Sequence, residues 1–192
     1  MKLSRQDLWT LEDYAVKREA FRAEVIQHKK TRQVKLGPHA TLYFEDGMTM
    51  RYQVQEMLRV EKIFTSDEIE EELEAYNPLI PDGTNWKATF MLEYPDVEER
   101  RVALARMSGI EDKVWVQVGD TERVYAIANE DLDRSTDDKT SAVHFMRFEL
   151  PAAAREALAG QDIKMGIDHP ELPYEVTLDA PVAASLRADI TA

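Results

Sequence analysis

Residues 86–94 read WKATFMLEY. Trp86, Ala88, Phe90, Leu92 and Tyr94 alternate with Lys87, Thr89, Met91 and Glu93, the period-two pattern of a strand that turns one face to a core. Downstream, Pro95-Asp96 followed by Glu99 caps a helix over DVEERRVALARMS, and Gly109 ends it. Val114, Val116 and Val118, then Val124 and Ile127, flank Gly119-Asp120-Thr121-Glu122 and predict a hairpin. The loop NEDLDRSTDD follows and is expected to be mobile. Beyond it Val143, Phe145 and Arg147 alternate with His144, Met146, Phe148 and Leu150, another strand. Pro151 opens a short helix that Gly160 closes. The segments IKMGID and YEVTL, separated by the turn HPELP, and a helix from Pro181 complete the chain.

Upstream of residue 86 the pattern changes. HATLYFE is a short strand ended by the turn signal Asp46-Gly47. MTMRYQVQEMLRVEKIF fits both periods, but a run of this length without Gly or Pro exceeds an ordinary strand, so a helix from about Thr49 to Phe64 is predicted. Thr65 with Glu68 opens an acidic helix, SDEIEEELEAY. Near the N-terminus, Leu11, Tyr14, Arg18, Phe21, Val25 and His28 form the stripe of one long helix, for which Ser4 and Thr10 are alternative starts. Early helices and late hairpin-linked strands predict an α+β fold: a mainly antiparallel sheet, helices packed on one side, and a long N-terminal helix. With 192 residues, one domain is expected, a helical segment over 1–36 joined to an α+β body over 37–192.

Composition excludes whole classes of function. The net charge of −13 opposes phosphate backbones and anionic lipid, so nucleic acid is not an expected partner. Neither is a membrane, because no apolar run nears the roughly 18–20 residues that span a bilayer. Acidic residues early in the chain argue against a signal peptide, and a cytoplasmic location is expected. The absence of cysteine removes disulfides, thiol nucleophiles and cysteine-held metal clusters. No GxSxG, GxGxxG or P-loop pattern occurs, and no cofactor is expected.

Candidate site residues are therefore chosen by side-chain chemistry. On the helix from Thr49, the residues Arg51, Tyr52, Gln55, Glu56 and Arg59 recur at near-helical spacing, and two arginines there could grip a carboxylate or phosphate. The plainer alternative pairs Arg59 with Glu56 or Glu61. Glu24 and His28 share a helix face and His144 lies in a strand, which makes these three the candidates for a metal. No Glu-x-x-His occurs, so helix pairing for Glu24, a dipole cap for His28 and a satisfied core position for His144 stand beside that reading. The basic segment HKKTRQVK and the acidic run Glu68 to Glu74 are complementary, and with the apolar stripe of the first helix they predict a homodimer.

The segments FEDGMTMRYQVQEMLRVEKIF, EELEAYNPLIPDGTNWKATFMLEYPDVEERR, VHFMRFELP and IDHPELPYEV together resemble a bacterial family of uncharacterised proteins, the domain of unknown function numbered thirty-five hundred and one. The resemblance runs from RQDLWTLEDY to PYEVTL. It implies the company of rubrerythrin-like proteins and iron–sulfur oxidoreductases, hence redox or oxidative-stress metabolism. Two functional expectations follow. One is an accessory or binding protein that serves a redox partner; the other is a small metal-dependent or ligand-binding enzyme with a pocket between the Arg51 to Arg59 helix and the sheet.

Overall fold

A computed structural model describes residues 2–130 and 139–191. A 3-10 turn at Arg5–Asp7 precedes α1 (Leu11–Lys29), β1 (Gln33–Lys35), β2 (Ala40–Phe44), α2 (Gly47–Glu61) and α3 (Ser66–Tyr76). Then come β3 (Asn85–Leu92), α4 (Val97–Arg106), β4 (Val114–Val118), β5 (Val124–Tyr125), β6 (Ile127–Ala128) and β7 (Val143–Glu149), followed by α5 (Ala152–Ala157), β8 (Ile163–His169), β9 (Leu172–Thr177) and α6 (Ala180–Arg187). The fold is α+β with antiparallel strands, as the sequence predicts. The strands form two sheets, one in the order β1-β2-β3-β7-β6 and the other β5-β4-β8-β9.

The predicted hairpin explains the division. Trp115 and Val116 pair with Tyr125 and Val124, but Ile127 and Ala128 pair with Arg147 and Met146 of the first sheet. One stretch of chain thus changes sheets after two residues. The main core lies between the inner faces, with Leu42, Trp86, Phe90 and Phe148 from one sheet and Val116, Met165 and Ile167 from the other. Val182, Ala183 and Leu186 of α6 join it, and the Trp86 indole donates to the Leu186 carbonyl at 2.8 Å.

Helices α1–α3 have small cores of their own. Val54 and Leu58 of α2 meet Ile69 and Leu73 of α3, while Tyr14, Phe21 and Val25 of α1 pack beside Trp9, Met48 and Tyr52. Tyr14, Phe21 and Val25 of the α1 stripe are therefore covered within the subunit. Of the two helix starts, Thr10 caps α1 by accepting from the Asp13 amide, and Ser4 opens only the 3-10 turn. The turn signal Asp46-Gly47 is the start of α2: Asp46 accepts from the Met48 and Thr49 amides. Lys62, in the left-handed region at φ 57°, ends that helix short of Phe64. In the basic segment, Arg32 is buried and the three residues that follow it form β1. The expected mobile loop lies outside the described residues from 131 to 138.

Candidate functional site

Four of the five candidate residues of α2, Arg51, Tyr52, Gln55 and Glu56, face α1 and the N-terminal segment, and Arg59 lies beside Glu56. Gln55 is buried and accepts from the Trp9 amide at 2.6 Å. Arg51 stacks on the Trp9 ring at 4.0 Å, with Phe21 beyond, and its Nε is buried without a hydrogen-bond partner. Tyr52 packs against Phe21 at 5.9 Å, and the Lys29 ammonium lies over its ring. Glu56 accepts from Arg18 at 2.7 and 2.9 Å, from the Tyr14 hydroxyl at 2.6 Å and from Arg59 at 3.2 Å. Arg59 thus makes the pairing with Glu56 named as its plainer alternative.

Arg18 foremost, then Tyr14 and Arg59, hold the Glu56 carboxyl down to about 2 from its ordinary 4.5, against the opposing effect of burial. Such a lowered acid stabilises the fold above its unfolded value, and that contribution is lost as pH falls from about 4.5 towards about 2. Glu56→Ala also strands the buried Tyr14 hydroxyl, so a loss of about 2–3 kcal/mol is expected. Urea denaturation checks both points: Glu56→Gln should lose less stability at neutral pH and should lack the acid-dependent contribution.

His28 and Glu24 do not converge. The His28 Nε2 lies 2.5 Å from Asp46 Oδ2, and Asp46 is also 3.3 Å from the Arg32 guanidinium. Burial would raise the Asp46 carboxyl, but Arg32, the Thr49 amide and His28 outweigh it and hold it low. Glu24 lines a separate cavity beside Trp9 and Arg51. His144 is fully buried, with Nε2 2.8 Å from the Thr140 hydroxyl and Nδ1 3.1 Å from Asn129 Oδ1. Glu111 lies 3.9 Å from it. Among the described residues no three His, Asp or Glu side chains form a metal-holding group.

A groove of ≈ 410 Å³ occupies the space between the helical layer and the outer face of the five-stranded sheet. Its floor is one cross-strand row. Gln33 pairs with Tyr43, Tyr43 with Thr89 and Thr89 with Phe145, so four adjacent strands present these side chains in line. Met91 extends the floor along β3. Met50 and Gln53 of α2 line the helical side, together with Lys29 of α1, Tyr76 at the end of α3 and Leu79 beyond it. The groove therefore takes a different part of α2 from the one bearing Arg51, Glu56 and Arg59.

Glu45 anchors the two layers at this edge. Its carboxylate accepts from Thr49 of α2 at 2.6 Å and from Thr89 of the floor at 2.8 Å. The Tyr43 hydroxyl donates to Glu93 at 3.0 Å; burial first, then that carboxylate, raises its pKa. Apolar walls with a few oriented polar groups suit a small amphipathic molecule. Leu79 and Phe145 also line an adjoining ≈ 300 Å³ pocket that holds Lys87 and Arg147. A larger cavity of ≈ 540 Å³ lies elsewhere, beside His39 and Tyr94, whose rings stack at 4.1 Å. One of its walls is α4, which has no buried side chain, and Glu98, Glu99 and Glu171 line it, so it is a solvated acidic surface rather than a formed apolar site.

A single sequence does not reveal which strands become neighbours, and so the floor row escapes the sequence analysis. The available signal is that the outward positions of the strands, Tyr43, Met91 and Phe145, are not polar. A second layer over that face would account for them.

The profile of a family described as "Protein of unknown function (DUF3501)" matches residues 2–190. A solved structure from Burkholderia pseudomallei K96243, described as a novel protein of unknown function, is 53% identical over 100% of both chains, with a TM-score of 0.94. No curated protein matches.

Proposed function

The chain belongs to the DUF3501 family of proteins of unknown function, and for it we propose the role of a binding protein that holds a small amphipathic molecule in the groove between its helical layer and its five-stranded sheet. The observation that carries this reading is the floor: an in-register row of Gln33, Tyr43, Thr89 and Phe145 beneath helices that keep separate cores. The layers do not fill the space between them. An accessory role beside a redox protein, implied by the family resemblance, belongs to this proposal; in the chain itself it is supported by the −13 charge, which would steer a basic partner. The Arg51 to Arg59 set keeps a second place in the proposal through Arg51, whose unpartnered Nε borders the cavity beside Trp9.

Met91→Trp tests the groove because the larger ring occupies its floor while leaving the inner face of β3 unchanged. Binding of benzyl alcohol, a small amphipathic probe, is expected to weaken at least about tenfold, or about 1.4 kcal/mol. The thermal midpoint should stay near that of the parent. Equal affinity in the two proteins would place the binding elsewhere.

A further inference from the structure

The pocket beside the groove contains an amine in an unusual setting. Lys87 points from the outer face of β3 into the ≈ 300 Å³ space lined by Pro78, Leu79 and Phe145, and its ammonium donates to the Pro78 carbonyl oxygen. Directly across the strand pair stands Arg147. Like charges in that relation oppose each other. Arg147 is answered by Glu130, at 2.9 and 2.7 Å, and by Glu149 at 2.6 Å. Among the described residues Lys87 has no carboxylate in an ion pair with it.

We propose that Lys87 is a carbonyl-reactive lysine, and that the molecule held in the groove is a small aldehyde or ketone which Lys87 captures as an imine. The proposal rests on the groove reading, since Leu79 and Phe145 line both spaces. Burial foremost, with Arg147, lowers the Lys87 pKa, although Asp82, Glu130 and Glu149 act in the opposite direction. A lowered pKa supplies more free amine at neutral pH, as in other lysines activated by desolvation and a neighbouring cation. The free amine adds to the carbonyl carbon: the C–N bond forms, the C=O π bond opens and a proton passes from nitrogen to oxygen. That hydroxyl then leaves as water with the remaining N–H proton, and C=N is left. No oxidant or reductant takes part.

Benzaldehyde with cyanoborohydride tests the capture, because hydride transfer to the imine carbon leaves a stable benzyl group on the lysine. Peptide mapping of the native protein at neutral pH is expected to show labelling at Lys87 several-fold above the average of the other nine lysines. Arg147→Gln should reduce that preference, which mere exposure of Lys87 would not do. Labelling spread over all lysines, with Lys87 not above the average, would overturn the proposal. Benzyl alcohol, which has no carbonyl, separates the two claims. If it binds in the groove while trapping is unselective, the capture fails and the groove stands; if trapping is selective and benzyl alcohol does not bind there, the groove fails as the ligand's site.

Discussion

Arg32→Ala is expected to destabilise the protein by about 3–5 kcal/mol, the range for removing one partner from a buried charge network. Arg32 is 2% exposed. It donates to the carbonyl oxygens of Phe44 and Glu45 at 3.1 and 3.0 Å, to Asp189 at 2.6 and 3.2 Å, and to Ser185 at 3.2 Å. Without it those carbonyls lose donors and the Asp189 carboxylate is left without its cation. Burial already raises the Asp189 pKa, opposed by Arg32. An acid raised in the folded state binds more protons there than when unfolded, so its contribution to stability falls as pH rises through the folded value. The deficit of the variant should therefore be larger at neutral than at acidic pH. Urea unfolding at both conditions checks the sign, and an equal deficit at each would show that Asp189 remains paired.

Trp86→Ala is expected to cost a similar amount, about 3–5 kcal/mol, for a different reason. The indole is fully buried, meets Phe44 edge-on at 6.3 Å and stands opposite Phe148 in the strand register. Removing it opens a cavity between the two sheets and takes from the Leu186 carbonyl its hydrogen bond at 2.8 Å, leaving the longer one from the Asp189 amide at 3.2 Å. Trp86→Phe keeps a six-membered ring and loses the N–H with the remainder of the indole, so about 1–3 kcal/mol is expected. The difference between the two variants in a denaturant series measures the packing that a phenyl ring restores. Equal losses would show that a phenyl ring restores none of that packing.

The outline of the fold was legible because its signals are local. Alternation in WKATFMLEY placed Trp86 and Phe90 inside, and the length of the run after Gly47 distinguished α2 from a strand. What was not legible depends on distant contacts. Nothing local shows that Ile127 leaves the sheet of Val124, or that Tyr43, Thr89 and Phe145 form one row. The same holds for Arg32. In sequence it is one cation in a basic segment, whereas the fold brings Asp189 and two backbone carbonyls to it. Arg51, Tyr52, Gln55, Glu56 and Arg59 were recognised as one polar set on α2, but their partners Trp9, Tyr14, Arg18 and Phe21 come from the chain before α2. Spacing identifies a face; packing decides what that face meets.

The groove is tested most directly by methionine-methyl NMR during a titration with benzyl alcohol. Met50 and Met91 line the groove from α2 and β3, whereas Met165 lies in the core between the sheets and Met107 borders the cavity beside His39. The expected result is that the Met50 and Met91 methyl signals move together and saturate at one ligand concentration while those of Met107 and Met165 stay in place. Saturable movement at Met107 with Met50 and Met91 unmoved would contradict the assignment of the groove as the binding site.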